Sequence, residues 1–499
     1  MEIFFSLTTM EILAFLQNPN SYPHETEADI RHLETHISHV FLCGEYAYKM
    51  KKGLDLGFLD FTSLEKRKYY CEEELRLNSI FAPEIYLEVI PIYKKDGAFS
   101  FQSKGKVVEY LLKMREFEQE HILSNIVEKG EFTPDLFTEL AQKLAQIHQK
   151  ADSNEEISSY ASASHIQKIA DQNFVQTHQY IGECISKSSF DKIRKFTLNF
   201  IDENELLFES RQKSGKIREC HGDLHLNNIC IYKGEIQFFD RIEFNKEFRN
   251  IDVIYDLAFL IMDLHHKNQS AIATRVMNEY LEQTGDYDGA ALLSFYACLR
   301  AYIRGKVISF QLDRSENTEG EKETIIAEAS SYFDLAESYA TKEKAKLWIT
   351  SGLSGSGKST VARRIAAKEQ FVIIRSDALR KHIAEVPLYE KGPEQIYRPE
   401  VSVATYKKLI ELANILTGYG VSVLLDAKFD KQKLRSQAMK LAEKKNINFR
   451  ILYCRAKPDD LKKRLEQRTG DVSDADASLI DQQVKTFEDF TGEELRYIL

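Results

Sequence analysis

The chain has 499 residues, of which 43% are hydrophobic and 29% charged, with a formal net charge of −10. This balance excludes a disordered or fibrous chain and weighs against a dedicated binder of long nucleic acids, which usually presents positive charge. At roughly 100–200 residues per domain the length predicts two to four domains. The seven cysteines are scattered and form no CxxC pair, which argues against a disulfide framework or a structural zinc site and for inert thiols in a reducing compartment. No apolar run approaches the ~20 residues of a membrane span, and Met1–Thr9 lacks the basic region and cleavage site of a signal peptide. A cytoplasmic location, away from membranes, is expected.

In chain order, the first expected element is a hairpin over His36–Lys52, where alternating aromatic and β-branched residues flank the turn Cys43-Gly44-Glu45. Lys66–Phe81 reads as an amphipathic helix halted before Pro83, and Glu84–Tyr93 and Val107–Met114 read as strands. From about Leu123 the pattern turns helical, through Asp135–Ala151 and Phe190–Gln212. A β-rich insert spans Ile229–Phe239, and helices resume at Ile251. The helix-patterned Glu321–Tyr339 ends in the charged run Lys342–Lys346, and the apolar strand Leu347–Thr350 follows. A domain boundary is therefore expected at 343/344. It separates residues 1–343, with a small sheet-rich lobe at about 25–115 and a helical lobe at about 116–343, from residues 344–499. Beyond it, strands at Leu347–Thr350, Phe371–Arg375, Val421–Asp426 and Asn448–Cys454 alternate with helices at Ser359–Lys368, Ala378–Ile383, Val401–Tyr419 and Lys431–Lys445. That rhythm predicts a parallel α/β sheet.

Gly352-Leu-Ser-Gly-Ser-Gly-Lys-Ser359 fits the Walker A phosphate loop between a strand and a helix. Gly352, Gly355 and Gly357 let the backbone bend, so that the N–H groups around Ser354, Ser356 and Thr360 turn inward at the positive end of the next helix. Lys358 would neutralise the β- and γ-phosphates of ATP, and the Ser359 hydroxyl would ligate Mg²⁺. Asp377, after the strand ending at Arg375, would orient or deprotonate an acceptor hydroxyl, or cap the helix it opens. Asp426 ends an apolar strand as a metal-holding carboxylate would. Arg464 and Arg468, spaced i, i+4, would close over phosphates as a lid or form a solvated basic face.

The second constellation lies in "HGDLHLNNIC", His221–Cys230. Asp223 would accept the hydroxyl proton, while Asn228 and Asp240, brought together by a hairpin turning near Lys233-Gly234, would hold Mg²⁺. His221 would brace the loop, and His225 reads as a polar loop residue without a clear role.

Two resemblances follow from these residues. "GLSGSGKST", "RSDALRK" and "CRAKPDDLKKRLEQRTGDVSDAD" resemble the small P-loop kinases, the group with gluconate kinase-like, zeta-toxin-like and polynucleotide-kinase-like enzymes. This implies that Asp377 contacts the acceptor hydroxyl, Arg380 helps bind substrate, and Arg464 and Arg468 belong to the lid. "HGD", Asn228, Asp240 and "RNIDVIYDLAFLIMDL" resemble the aminoglycoside phosphotransferase-like branch of the protein-kinase fold, over roughly residues 25–340. This implies Asp223 as catalytic base, Asn228 and Asp240 as Mg²⁺ ligands, and Asp256 as a structural tie for the catalytic loop. It also implies a strand lysine for the α- and β-phosphates, Lys49 with Lys51 on the same face, paired with Glu74 or the neighbouring Glu73. The glycine-rich loop of protein kinases is absent before Lys49, where Gly44 is the one turn glycine.

The expected fold is thus an α+β protein-kinase-like two-lobed domain followed by an α/β P-loop domain, a pairing that resembles a bacterial fusion of unassigned substrate. The expected function is a kinase with two centres that use ATP and Mg²⁺ on small-molecule acceptors. One catalytic half governed by a nucleotide-binding partner, and a polynucleotide or nucleotide-sugar kinase acting through the P-loop, are the alternatives.

Overall fold

The computed structural model describes residues 7–499 except 27–28, 58, 103, 315–316 and 342. The first six residues of Met1–Thr9 and Lys342 of the charged run therefore lie outside the described residues. Packing divides the chain into two compact units: Met1–Phe132, Ala151–Ser162 and Ser210–Asp256 form one, and Thr133–Lys150, Ala163–Glu209 and Leu257–Leu499 the other.

The first unit is built on a six-stranded sheet of β1 (Arg31–Glu34), β2 (Ser38–Cys43), β3 (Tyr46–Lys51), β4 (Tyr86–Lys95), β5 (Ala98–Ser100) and β6 (Lys106–Arg115). The order is β1-β2-β3-β6-β4-β5, with every neighbouring pair antiparallel. Cys43 pairs with Tyr46, so the β2–β3 connection is the two-residue turn Gly44-Glu45. The helix Leu64–Phe81 starts at Ser63, whose hydroxyl accepts the Lys66 N–H at 3.2 Å. It buries Cys71, Glu74, Leu77, Asn78 and Phe81 along one face. That spacing of three and four carries Glu74 toward the sheet. Two short pairs complete the unit: β7 (Ile217–Glu219) with β10 (Asn250–Asp252), and the hairpin of β8 (Ile229–Tyr232) and β9 (Glu235–Phe238). Lys233 and Gly234 turn that hairpin with φ of 52° and 81°, the left-handed pair that such a turn requires.

In the second unit, helices Ala163–Thr177, Lys187–Glu203, Ser270–Thr284, Leu293–Ser309 and Glu319–Tyr339 precede a parallel sheet. The helical stretch expected over Phe190–Gln212 consists of two helices, Asn204 capping the first and Glu205 opening the second. Strands β11 (Lys346–Ser351), β12 (Val372–Arg375), β13 (Val423–Asp426) and β14 (Asn448–Tyr453) lie in the order β12-β13-β11-β14, all parallel. Every residue of β12 and β13 is buried, as strands covered on both faces must be. The α+β and parallel α/β classes expected from sequence are both present. All seven cysteines are unpaired and six are buried. Among the described residues no helix is long and apolar enough to cross a membrane.

Candidate functional site

In the first unit, β3 points Lys49 and Lys51 to the same side, two residues apart, where both meet Glu74. Lys49 Nζ donates to Glu74 Oε1 at 2.8 Å and to Asp240 Oδ1 at 2.7 Å; Lys51 Nζ donates to Glu74 Oε2 at 2.6 Å and to Glu243. Glu74 is fully buried, and Glu73 instead pairs with Arg76 and Arg249. Burial alone would raise the Glu74 carboxyl, but the two lysines outweigh it and hold it at about 2. Burial also opposes the charge of Lys49, and Asp240 and Glu74 overcome that too, keeping it well above its ordinary value. Lys51 and Glu243 are the members of this network that the sequence reading left unresolved or missed. Glu243 follows Asp240 by three residues and carries no motif of its own.

The loop His221–Asn228 is pinned from behind. Asp256, fully buried, accepts the backbone N–H of His221 at 3.0 Å and of Gly222 at 2.9 Å. His221 Nε2 donates to the Phe239 carbonyl at 2.9 Å, tying the loop to the end of the hairpin. Gly222 has φ +87°, and a Cβ there would fall 2.6 Å from the Phe248 carbonyl oxygen, so no other residue fits. Asn228 Nδ2 donates to Asp223 Oδ2 at 3.0 Å, and the Asn228 carbonyl accepts the Phe239 N–H at 2.9 Å. Asp240 is thus one residue from the position paired with Asn228, with φ +61° and its N–H donated to the Tyr86 hydroxyl at 2.9 Å. His225 Nε2 lies 3.3 Å from Asp223 Oδ2. The oxygens of Asp240, Asn228 and Asp223 are the hard donors that Mg²⁺ prefers.

In the second unit, Gly352, Gly355 and Gly357 all have positive φ, and Gly357 leads directly into the helix Lys358–Glu369. A Cβ on Gly352 would meet the Cys454 carbonyl oxygen at 2.2 Å. The Ser356 hydroxyl is buried and without a partner, as expected of a loop shaped for an oxygen-rich ligand. Lys358 Nζ donates to the Leu353 carbonyl at 2.8 Å, and burial lowers its pKa despite Asp426 and Asp377 nearby. The Ser359 hydroxyl donates to Asp426 Oδ2 at 2.6 Å. A hydroxyl and a carboxylate in contact are a fitting start for a Mg²⁺ site. Gln483 accepts the Ser354 N–H at 3.0 Å and donates to its hydroxyl at 3.1 Å, an anchor with no sequence signature.

These residues open onto a cavity of about 1140 Å³, with Ser359, Thr360, Asp377, Arg380, Arg464 and Arg468 among its walls. Asp377 stands in the first turn of the helix Ser376–Ile383. The capping alternative does not hold, because Arg375 occupies the N-cap and no side chain caps that end. Arg380 donates to the Ile396 carbonyl at 2.9 Å and to Ser402 at 3.2 Å. The helix carrying Arg464 ends at Glu466, so Arg468 lies beyond it rather than one turn on. Arg468 braces the next loop, donating to the carbonyls of Ser473 at 2.8 Å and Ala475 at 2.6 Å, while Arg464 reaches the Gly355 carbonyl at 3.4 Å.

A glycine loop that leads into a helix through Lys358 and Ser359, beside a carboxylate at the end of a parallel strand, defines a P-loop region. Residues 347–490 match the protein-family model described as an AAA domain. Over 464 residues the chain is 28% identical to an uncharacterized protein of Mycobacterium bovis and to its counterpart in Mycobacterium tuberculosis, spanning 92% of this chain and 90% of each relative. Among solved structures it is similar to a choline kinase from Cryptosporidium parvum, at 12% identity over 72% of this chain and 97% of that one with a TM-score of 0.40. It is also similar to a gluconokinase from Sinorhizobium meliloti, at 21% identity over 32% of this chain and 82% of that one with a TM-score of 0.23.

Proposed function

We propose that the chain is a kinase with two centres, each transferring the γ-phosphate of ATP to a hydroxyl of a small-molecule acceptor, with the boundary between its catalytic domains at 343/344. The observation that carries the P-loop centre of this reading is the Ser359–Asp426 contact, 2.6 Å, beside a glycine loop and in the wall of the same cavity as Asp377. Donor phosphates, metal and acceptor hydroxyl each have a group of fitting chemistry there. Gly352, Ser354, Gly355, Ser356, Gly357, Lys358 and Thr360 would cradle the phosphates, with Arg464 and Arg468 at the lid. Asp377 would orient the acceptor hydroxyl and take its proton. In the other centre Asp223 would be the base, Asn228 and Asp240 the metal ligands, and Lys49, set by Glu74, the contact to the α- and β-phosphates. Mg²⁺, when bound, would neutralise charge on the transferred group.

A second reading, in which only one centre is catalytic and the other half binds nucleotide to govern it, is favoured by the two-residue turn Gly44-Glu45, which offers few backbone donors for phosphate. Transfer from labelled ATP into a metabolite pool, compared for the full chain, Lys358→Ala and Asp223→Ala, separates the two. Two centres predict that each substitution removes a different labelled product, by about 100-fold or more. If Asp223→Ala leaves every product intact, the two-centre proposal fails.

A further inference from the structure

The helix Ser270–Thr284 precedes the proposed boundary at 343/344, yet within the second unit it lies along β12, the edge strand of the parallel sheet. Asn278 fixes it there. Its Nδ2 donates to the Phe371 carbonyl at 2.9 Å and its Oδ1 accepts the Ile373 N–H at 2.6 Å, so one side chain satisfies two backbone groups along the open side of that strand. Nearby, His382 Nε2 donates to the Glu282 carbonyl at 2.7 Å. Gly285, at φ +68°, leaves room for the His382 ring, which a Cβ would approach to 2.9 Å.

One turn on from Asn278, on the same helix face, Glu282 reaches Arg375. Arg375 ends β12 in register with Asp426, and its side chain is only 6% exposed. Three carboxylates surround this one guanidinium. Nη1 bonds Glu282 Oε1 at 2.9 Å and Nη2 bonds Asp471 Oδ1 at 2.6 Å, whereas Nε stops 3.7 Å short of Asp426 Oδ2. That same Asp426 oxygen accepts the Ser359 hydroxyl.

We infer that Glu282 is a positioning residue for the P-loop centre: by holding one arm of Arg375 it keeps the guanidinium from closing on Asp426, and so leaves that carboxylate to Ser359 and Mg²⁺. The inference rests on the proposed Mg-ATP reading of this centre. Its physical basis is the competition for a buried cation. With Glu282 removed, Arg375 loses a compensating charge in a poorly screened site; Asp471 still holds Nη2, and Asp426, 3.7 Å from Nε, is the carboxylate left for the rest of the guanidinium to close on. A closer Arg375–Asp426 pair competes with the metal for the same oxygen. A helix that lies outside the P-loop motif thereby becomes part of that site's wiring.

The test measures ATP turnover against Mg²⁺ concentration, using the full chain with Asp223→Asn to silence the other centre. Glu282→Gln keeps the size of the side chain and removes its charge. It is expected to raise the Mg²⁺ concentration for half-maximal turnover by about 10-fold or more, the usual scale for groups that orient a metal ligand. The KM for ATP at saturating Mg²⁺ should not move. Asn278→Ala, which loosens the docking without touching Arg375, should lower the melting temperature but not shift the Mg²⁺ titration. The inference is overturned if Glu282→Gln titrates like its parent, or if Asn278→Ala shifts the titration equally, since the effect would then be structural. Turnover that survives Lys358→Ala would instead remove the P-loop reading, and the inference with it.

Discussion

The two lysines expected to meet phosphate, Lys49 and Lys358, stand in opposite electrostatic states. Lys49 is held by Glu74 and Asp240, inside a chain of charges that continues through Lys51 to Glu243. Lys358 has one bond, to the Leu353 carbonyl, and burial works against its charge. The first region keeps its cation stable without ligand, so that a nucleotide would have to share it with carboxylates already in place. The second leaves its cation under-compensated, and the negative charge of a phosphate ligand would supply the missing partner. Phosphate can therefore be met by charged side chains set in advance, or by a backbone cradle around a waiting cation.

The sharpest way to break this comparison is to remove a cation from each. Lys51→Met leaves Glu243 buried without its partner, and Glu74 with Lys49 alone. Breaking a buried pair from one side costs about 3–5 kcal/mol, so a large fall in denaturation midpoint is expected. Lys358→Met removes a charge that folding disfavours, so the midpoint should hold or rise while nucleotide binding at the P-loop is lost. Equal destabilisation of the two variants in urea titrations would contradict the contrast drawn between them.

A smaller effect separates two glycines with the same φ, Gly222 and Gly357, both at +87°. Alanine at either position incurs left-handed strain of about 1–3 kcal/mol. At Gly222 the added Cβ also strikes the Phe248 carbonyl, at 2.6 Å, whereas at Gly357 nothing lies within 4 Å. Gly222→Ala should therefore melt lower than Gly357→Ala, and Gly357→Ala should lose more nucleotide affinity than stability, because the open space beside the loop is where phosphate would enter.

How much of this was legible depended on whether chemistry follows from local spacing. The four strands of the parallel sheet and the four helices between them were readable because apolar runs and glycine turns alternate cleanly there. The β8–β9 hairpin was readable from Lys233-Gly234, which demands a left-handed turn. The tie from Asp256 to His221 and Gly222 came from the resemblance, since no local pattern links residues some 35 positions apart. Glu243, Gln483 and the bond from Glu282 to Arg375 were not legible, because each joins segments distant in sequence through a single side chain. Arg468 does not sit one turn on from Arg464 because the helix ends at Glu466, and the i, i+4 rule holds only within a continuous helix.

The smallest effect tests whether the charge chain around Glu74 is as settled as its geometry implies. Glu74 has a folded value of about 2 against an ordinary 4.5, so in acid the unfolded chain takes up the proton first. The stability it contributes is complete above pH 4.5 and is lost as pH falls from 4.5 toward 2. Glu74→Gln carries no titrating group at this position, so its unfolding free energy should fall less steeply across that window than the parent's, although it starts lower. Glu243 works in the opposite sense, because burial raises its value above the ordinary range despite Lys51. Glu243→Gln should therefore steepen the acid slope just above pH 4.5, between that ordinary value and the raised folded one, whereas Glu74→Gln flattens it below pH 4.5. If both variants change the slope in the same direction, Lys51 does not divide the two carboxylates into a charged and a reluctant partner. The first region would then be no more settled than the P-loop cation to which it was compared.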